Sequence, residues 1–267
     1  MTSIEVLICT RGARIANVGA VMAAPQPGVS YLVSFQYSSA QERELVPEEV
    51  RQRSDVRLQE FSDIGLSCNR NHALDAARGD ILLFADDDNR YSPATFEAVN
   101  RGFEALPNAN AICFQSQLYS GESQRQFPQQ SFNLSKSPHG YYPRSCEIAI
   151  KRGRGIPRFD EHFGLGSDFL ACGEEEVFVA DMLRGGFEVW YFPAPIVHTA
   201  SGTTGSLFNT SAAVRRSKGA VLTVRHGVAG AVARAAKYAA LNVRGMSRLR
   251  AFGDMLRGVV YAKEIGR

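Results

Sequence analysis

The sequence predicts an α/β fold with a mostly parallel sheet, helices on both of its faces, and a basic helical C-terminal extension. Short apolar segments alternate with helix-like segments through the first half of the chain, and strands joined by helices form parallel sheets with right-handed crossovers. The chain has 267 residues, 45% hydrophobic and 21% charged, which is enough to bury a full core. From Arg215 onward there are 12 basic and 2 acidic residues, a formal charge of +10 against −7 for the remainder.

Seven short apolar segments are predicted strands: residues 5–9, 31–36, 56–58, 81–85, 111–114, 146–150 and 187–192. Helices are predicted at 14–24, 67–77 and 93–105, and from residue 174 to a stop at Gly185. The helix at 93 has the clearest start, because Ser92 suits an N-cap and Pro93 suits the first helical position. Charged residues at 42–53 predict a polar connection, and the polar stretch 115–144 predicts long loops or a short edge hairpin.

The predicted strand at 81–85 ends in three carboxylates, Asp86, Asp87 and Asp88. Open α/β sheets bind ligands at the carboxyl ends of their strands, and strand alternation places Asp86 and Asp88 on one face. Two oxygen donors on one face suit Mg²⁺ or Mn²⁺ shared with substrate phosphates. A solvated turn or a helix cap explains the triplet equally well. An EF-hand is excluded, because Arg90 and Tyr91 occupy the places of its third ligand and its glycine.

A second acidic group, Glu174 to Glu176, opens the predicted helix after Gly173. Glutamates in a first helical turn are favoured by the helix dipole, so a structural role explains each of them as well as a catalytic one. His198 follows the last predicted strand, where a lone histidine is more often a hydrogen-bonded structural residue than a ligand. Arg70 has two open interpretations, a phosphate ligand or a solvated helix residue.

Composition argues against several classes of protein. The N-terminus enters a strand at once, without the features of a signal peptide, and no stretch approaches the roughly 18 apolar residues of a membrane-spanning helix. We therefore expect a cytoplasmic protein. Five widely spaced cysteines without a CxxC pair predict reduced core residues and neither metal ligands nor disulfides. The basic tail lacks aromatic residues interleaved with its charges, which argues against a nucleic-acid partner.

The order of the motifs resembles glycosyltransferase family 2 over about residues 4 to 200. The motifs are Thr10-Arg11, Gly65 to Asn71, Gly79 to Asp88, Phe159 to Gly166, Gly173-Glu174-Glu175 and Pro195 to His198. The resemblance implies a GT-A fold with a Rossmann-like sheet, and an inverting transfer of a sugar from a nucleotide-diphosphate donor with a divalent metal, Mg²⁺ or Mn²⁺. We expect a polysaccharide or lipid-linked acceptor.

The resemblance also implies roles for single residues. Those of the nucleotide pocket are Thr10, Arg11, Arg70, Asn71, Asp86 and Asp87. Those that hold the metal are Asp86, Asp88 and, as in some family members, His198. Glu175 stands where the family has its general base, with Glu174 or Asp168 as alternatives. The chain departs from the family pattern at two places. Strand 31–36 does not end in the aspartate that commonly binds the nucleobase in the family. The residue at the position of the general base is Glu in place of Asp.

We expect a catalytic domain at residues 1–205 and a basic helical extension at 206–267. Apolar residues recur at helical spacing in the extension: Met246, Leu249, Phe252, Leu256 and Val260. This stripe predicts either a helix on an anionic membrane surface, at the inner face of the plasma membrane, or a helix packed on the catalytic domain. The alternative functions are a sugar nucleotidyltransferase, disfavoured by the single glycine in residues 10–14, and a non-catalytic nucleotide- or carbohydrate-binding protein.

Overall fold

A computed structural model describes residues 2–138, 140–200, 202 and 204–267. The chain divides into two compact units. The first unit comprises Met1–Ile64, Cys68–Arg158 and Asp181–Ser201, and the second comprises Gly65–Ser67, Phe159–Ala180 and Gly202–Arg267. The second unit therefore contains more than the expected extension at 206–267, because it also takes in the glycine-rich segment before the second acidic group.

The first unit is built on a sheet of eight strands in the order β3-β2-β1-β4-β7-β5-β8-β6. The strands are β1 (Ile4–Arg11), β2 (Val29–Gln36), β3 (Val56–Phe61), β4 (Ile81–Asp86), β5 (Ala111–Leu118), β6 (Phe132–Asn133), β7 (Ile148–Lys151) and β8 (Val189–Thr199). Strands β1 to β4 pair in parallel, as does β5 with β8. The prediction of an α/β fold with a mostly parallel sheet is confirmed.

Strand β7 is an exception, because it runs antiparallel to both β4 and β5. The reason lies in the connection that precedes it. No α-helix lies between β5 and β7 in the described part of that connection, and an antiparallel strand needs no helical crossover. The predicted strand at 146–150 also starts two residues late, at Ile148, since Ser145–Glu147 forms a 3₁₀ turn.

Seven α-helices and four 3₁₀ helices accompany the strands in the described residues. The α-helices are α1 (Ala40–Glu44), α2 (Glu48–Gln52), α3 (Leu66–Ala76), α4 (Pro93–Ala105), α5 (Glu174–Arg184), α6 (Ala212–Asn242) and α7 (Arg248–Glu264). The 3₁₀ helices are Gly12–Ala20, Leu134–Lys136, Ser145–Glu147 and Thr204–Asn209. The start of α4 at Pro93 after an N-cap at Ser92 is confirmed. The predicted helix at 14–24 is a 3₁₀ helix, and the predicted connection at 42–53 contains most of α1 and all of α2.

The central strands β1 and β4 are buried along almost their whole length and form the core of the first unit with apolar residues of the neighbouring strands and α4. At the amino end of β1, the buried Glu5 pairs with Arg57 at 2.6 Å and accepts a hydrogen bond from the Gly79 amide at 2.9 Å. A Cβ atom at Gly79 would lie 2.6 Å from the Glu5 Cβ, so glycine is required there. The amino ends of β1 and β4 are thereby held side by side, and the parallel register continues this pairing to Cys9 and Asp86 at their carboxyl ends.

In the second unit, α6 and α7 approach closely through two glycines. A Cβ at Gly219 would lie 1.9 Å from the Met255 carbonyl oxygen, and one at Gly258 would lie 1.9 Å from that of Arg216. Helix α6 is interrupted at Gly227, which has φ 68° and ψ 169°. In the described part of the chain, no helix combines the length and the apolar character needed to cross a membrane.

The buried face of α7 differs from the predicted apolar stripe. Its members are Ala251, Asp254, Met255, Gly258, Val259 and Ala262. In the stripe itself, Leu249 is 83% exposed and Val260 is 55% exposed, while the other three residues are half-buried. Small residues, and not the larger apolar ones, therefore mediate the close contact between α6 and α7.

Candidate active site

The carboxyl ends of β1 and β4 bring Thr10 and Asp87 together. Cys9 and Asp86 are partners across these strands. The residues that follow them, Thr10 and Asp87, therefore lie at the same edge of the sheet. The buried Asp87 carboxylate accepts a hydrogen bond from the Thr10 hydroxyl at 2.8 Å and two from Arg14 Nε at 2.8 and 2.9 Å. The hydrogen bond to Asp87 raises the pKa of Arg14. The negative charge of Asp87 is thus already compensated by the protein.

Asp86 has partners of its own. Its Oδ1 accepts a hydrogen bond from Arg70 Nη2 at 3.0 Å, and its Oδ2 lies 3.5 Å from the Ser145 hydroxyl. Arg70 is only 2% exposed and also donates to the Ser145 hydroxyl at 2.8 Å. A buried guanidinium therefore holds the Asp86 carboxylate, which keeps 35% of its side-chain surface in contact with solvent.

Asp88 differs from both neighbours, because no ion pair reaches it from any residue that the structure describes. The Asn89 amide donates to its Oδ1 at 3.3 Å, and its backbone carbonyl accepts a hydrogen bond from the Tyr119 hydroxyl. Partial burial, followed by the charges of Asp86 and Asp87, raises the pKa of Asp88. A carboxylate with a raised pKa beside two other carboxylates is a position where a bound cation would be favourable.

The residues of the triplet fit a hard divalent cation. Carboxylate oxygens are the ligands that Mg²⁺ and Mn²⁺ prefer. Asp87 is committed to Arg14 and Thr10, and Asp86 is shared with Arg70, whereas Asp88 retains an uncompensated charge within the described part of the chain. Asp88 is therefore the main candidate ligand, with Asp86 as its partner.

The other predicted pocket residues of the first unit lie near the same edge. Asn69 donates to the Thr10 carbonyl at 3.1 Å, and its neighbour Asn71 is buried. Arg11 is exposed and lies 3.5 Å from the Ser38 hydroxyl. His198 lies within β8, where its backbone exchanges hydrogen bonds of 2.8 and 3.1 Å with Arg90. This bridge places the β8 backbone at His198 beside Arg90, two residues after Asp88.

The second acidic group opens α5 in the second unit. Gly173 precedes it with φ 92°, and a Cβ there would lie 2.5 Å from a Val221 methyl group, so glycine is needed for this turn. Glu176 pairs with Arg225 at 2.9 Å and Glu174 is buried. The predicted base Glu175 is half-buried. The alternative base Asp168 is exposed.

Sequence reasoning missed Arg14 and Ser145, which contact Asp87 and Asp86 directly. Arg14 is 73 residues away from Asp87 along the chain, and Ser145 is 59 residues away from Asp86. Ser145 comes directly after the polar stretch 115–144, which the sequence predicts as long loops or a short edge hairpin. No local motif marks either residue, so only the folded arrangement could reveal them.

Residues 36–165 match the family model described as "Glycosyl transferase family 2". No curated protein sequence matches.

Among solved structures, S. aureus TarS 1-349 is similar with a TM-score of 0.58 and 14% identity, covering 96% of this chain and 81% of that one. The same fragment in complex with UDP-GlcNAc gives a TM-score of 0.60 with 14% identity and the same coverage. The longer TarS structure gives 0.59 with 15% identity and covers 99% of this chain and 53% of that one. At this identity the likeness shows the fold. The family match over residues 36–165 supports a glycosyltransferase activity for a chain with a GT-A type fold.

Proposed function

We propose that the chain transfers a sugar from a UDP-sugar to a polysaccharide or lipid-linked acceptor, with inversion and with the help of Mg²⁺ or Mn²⁺. The observation that carries this proposal is the acidic edge of β4, where Asp86 and Asp87 have cationic partners and Asp88 has none among the described residues. The choice of nucleotide is supported by TarS, which has the same fold and was solved with UDP-GlcNAc and with UDP.

The residues of the first unit have distinct tasks in this proposal. Asp88 and Asp86 hold the cation, and Arg70 fixes the Asp86 carboxylate from its buried side. When bound, the cation neutralises the charge that grows on the departing diphosphate. Asp87 ties Thr10 and Arg14 to the end of β4, which orders the nucleotide side of the pocket. His198 is a further predicted ligand of the metal or of a phosphate.

The acceptor hydroxyl must lose a proton as it attacks the anomeric carbon, so the reaction needs a carboxylate as general base. Glu175 is the proposed base, on the strength of its position after Gly173-Glu174. Glu176 is paired with Arg225, Glu174 is buried, and Glu175 is half-buried. The base assignment rests on the family resemblance.

The proposal is tested by incubating the protein with a panel of nucleotide sugars and measuring release of the nucleoside diphosphate. We expect one UDP-sugar to be consumed with Mg²⁺ or Mn²⁺, and consumption to stop with a chelator. Asp88→Asn should abolish it, whereas Glu97→Gln, a carboxylate that is 72% exposed on α4, should leave it intact. Full turnover by Asp88→Asn in chelator would contradict the proposed metal dependence.

We also propose that the second unit binds an anionic membrane surface through α7, at the inner face of the plasma membrane. Leu249 and Val260 of the apolar stripe are exposed, and the neighbouring Arg248 and Arg250 are exposed as well. Apolar side chains beside basic ones are the pattern of a helix that lies in a membrane interface. Not all of the tail charge is available, because Arg215 is buried in an ion pair.

Vesicle flotation at low and high salt tests this membrane proposal. Each basic residue near an anionic leaflet contributes about 1 kcal/mol, so reversing Arg248 and Arg250 to Glu should weaken binding to anionic vesicles by about 30-fold or more. A control variant with the same change of charge, Arg101→Glu with Lys136→Glu on the first unit, should bind like the wild type. Equal recovery of the α7 variant and the wild type on anionic vesicles would contradict the proposal.

A further inference from the structure

We propose that Asp63, Cys68 and His72 form a second metal site, suited to a borderline-soft divalent cation such as Zn²⁺. Asp63 lies two residues after β3, and Cys68 and His72 are four residues apart on α3, so they point from the same helix face. One ligand atom from each side chain lies within 4.8 Å of the others. All three residues belong to the first unit; Cys68 and His72 are half-buried, and Asp63 keeps 39% of its side-chain surface exposed.

The distances among the three ligand atoms are close to those of a tetrahedral site. The Cys68 Sγ lies 3.5 Å from His72 Nε2. A zinc ion with Zn–S of about 2.3 Å and Zn–N of about 2.0 Å at a tetrahedral angle separates these two atoms by about 3.5 Å. Asp63 Oδ2 lies 3.1 Å from Sγ and 2.5 Å from Nε2. Binding would therefore require this oxygen to move away from Nε2 by less than about 1 Å.

Neighbouring side chains orient two of the three ligands. Gln36 donates a hydrogen bond to Asp63 Oδ1 at 2.8 Å, which leaves Oδ2 directed at the thiol and the imidazole. The ring of Phe61 stacks on that of His72, with centroids 3.8 Å apart and planes 9° apart. Outer contacts of this kind fix the orientation of metal ligands. The cluster thus has the supporting contacts of a built site.

The donor chemistry separates this site from the acidic triplet. A thiolate, an imidazole and one carboxylate favour Zn²⁺, whereas the all-oxygen triplet at Asp86 to Asp88 favours Mg²⁺ or Mn²⁺. Three protein ligands leave a fourth position for water or another small ligand. Binding displaces the proton of the Cys68 thiol to solvent. The cation would then join the loop after β3 to α3, in place of the hydrogen bonds that now connect them.

This inference does not depend on the proposed glycosyl transfer, and it is tested by metal binding alone. Metal-free protein is titrated with Co²⁺, and absorption is recorded for a thiolate-to-cobalt charge-transfer band. We expect one equivalent of Co²⁺ to produce the band and one equivalent of Zn²⁺ to displace it. Cys68→Ser should abolish the band, and Cys172→Ser, which removes a half-buried thiol outside the cluster, should keep it.

Two further variants keep the test decisive. Gln36→Ala removes the outer contact while all three ligands remain, and should weaken Zn²⁺ binding by about 10- to 100-fold. Asp88→Asn should leave the band unchanged, because the triplet supplies no thiolate. A wild-type protein without a thiolate band, or a band that persists in Cys68→Ser, would overturn the proposal and leave Asp63, Cys68 and His72 as a hydrogen-bonded cluster only.

Discussion

Asp87 and Asp88 are adjacent in sequence, yet changing Asp87 to Asn should destabilise the protein, whereas changing Asp88 to Asn should not. Asp87 is 3% exposed and accepts hydrogen bonds from Arg14 and Thr10. Hydrogen bonds to a charged group contribute about 1.5–3 kcal/mol. Arg14 is 60% exposed, so it returns to water when its partner is lost and adds no further penalty. Asp87→Asn should therefore lower the free energy of unfolding by about 1.5–3 kcal/mol, or the melting temperature by about 3–12 °C.

Asp88→Asn should leave the free energy of unfolding unchanged or raise it. Burial and the charges of Asp86 and Asp87 raise the pKa of Asp88 in the folded protein. Between the ordinary aspartate pKa and this raised value, the folded state binds more protons than the unfolded state, so stability falls as the pH rises through that window. Asn removes this penalty. Because the side chain is partly exposed, solvent screening limits the gain to less than about 1 kcal/mol.

The assay is urea unfolding in metal-free buffer at pH 7, followed by far-ultraviolet circular dichroism, with Glu97→Gln as the surface control. Any advantage of Asp88→Asn over the wild type should shrink as the pH is lowered through the raised pKa, since the wild-type residue then becomes neutral as well. Destabilisation of Asp88→Asn as large as that of Asp87→Asn, or wild-type stability of Asp87→Asn, would contradict these expectations.

Two further predictions concern the second unit. Glu175→Gln should lower turnover by roughly 10²-fold or more with little change in donor affinity, because the amide cannot accept the acceptor proton. If steady-state kinetics show this loss for Glu174→Gln and not for Glu175→Gln, the general base is Glu174 and not Glu175. Arg215→Met should lower the free energy of unfolding by about 3 kcal/mol, since among the described residues it leaves the buried Asp254 with only the exposed Arg257 as an ion-pair partner. A loss below about 1 kcal/mol in urea unfolding would contradict a structural role for this pair.

Local patterns in the sequence were sufficient for the elements that carry the predicted site. The apolar run before Asp86 predicted β4, because a buried central strand reads as a continuous apolar segment. The cap at Ser92 predicted the start of α4, and Gly173 predicted the start of α5. The class of fold followed from the alternation of such elements.

Contacts between distant segments could not be predicted in the same way. The pairs Arg14 with Asp87 and Arg70 with Ser145 join residues more than 70 positions apart, and their meeting depends on strand order and on loop paths. Strand alternation predicted that Asp86 and Asp87 point to opposite faces, and the two have different partners, but the strand ends at Asp86. The position of Asp88 is therefore determined by a turn that the alternation rule does not describe.

Cys68 shows a different limit of sequence reasoning. Spacing along the chain suggested a reduced core cysteine, because no CxxC pair was present. Its partners Asp63 and His72 come from the preceding loop and from the next turn of α3. The spacing of Cys68 and His72 on one helix was the signal available in the sequence. That spacing indicates a metal site only when the fold brings Asp63 beside the two side chains.

The central claim is that Asp88 holds the cation through which the nucleoside diphosphate binds. Calorimetric titration of UDP into the protein, with Mn²⁺ and then with a chelator, tests this claim most directly. Our account predicts UDP binding by the wild type with Mn²⁺, and binding weakened by about tenfold or more, equivalent to about 1.4 kcal/mol, both in chelator and in Asp88→Asn with Mn²⁺. Equal UDP affinity of the wild type with Mn²⁺ and in chelator, or of Asp88→Asn and the wild type with Mn²⁺, would contradict it.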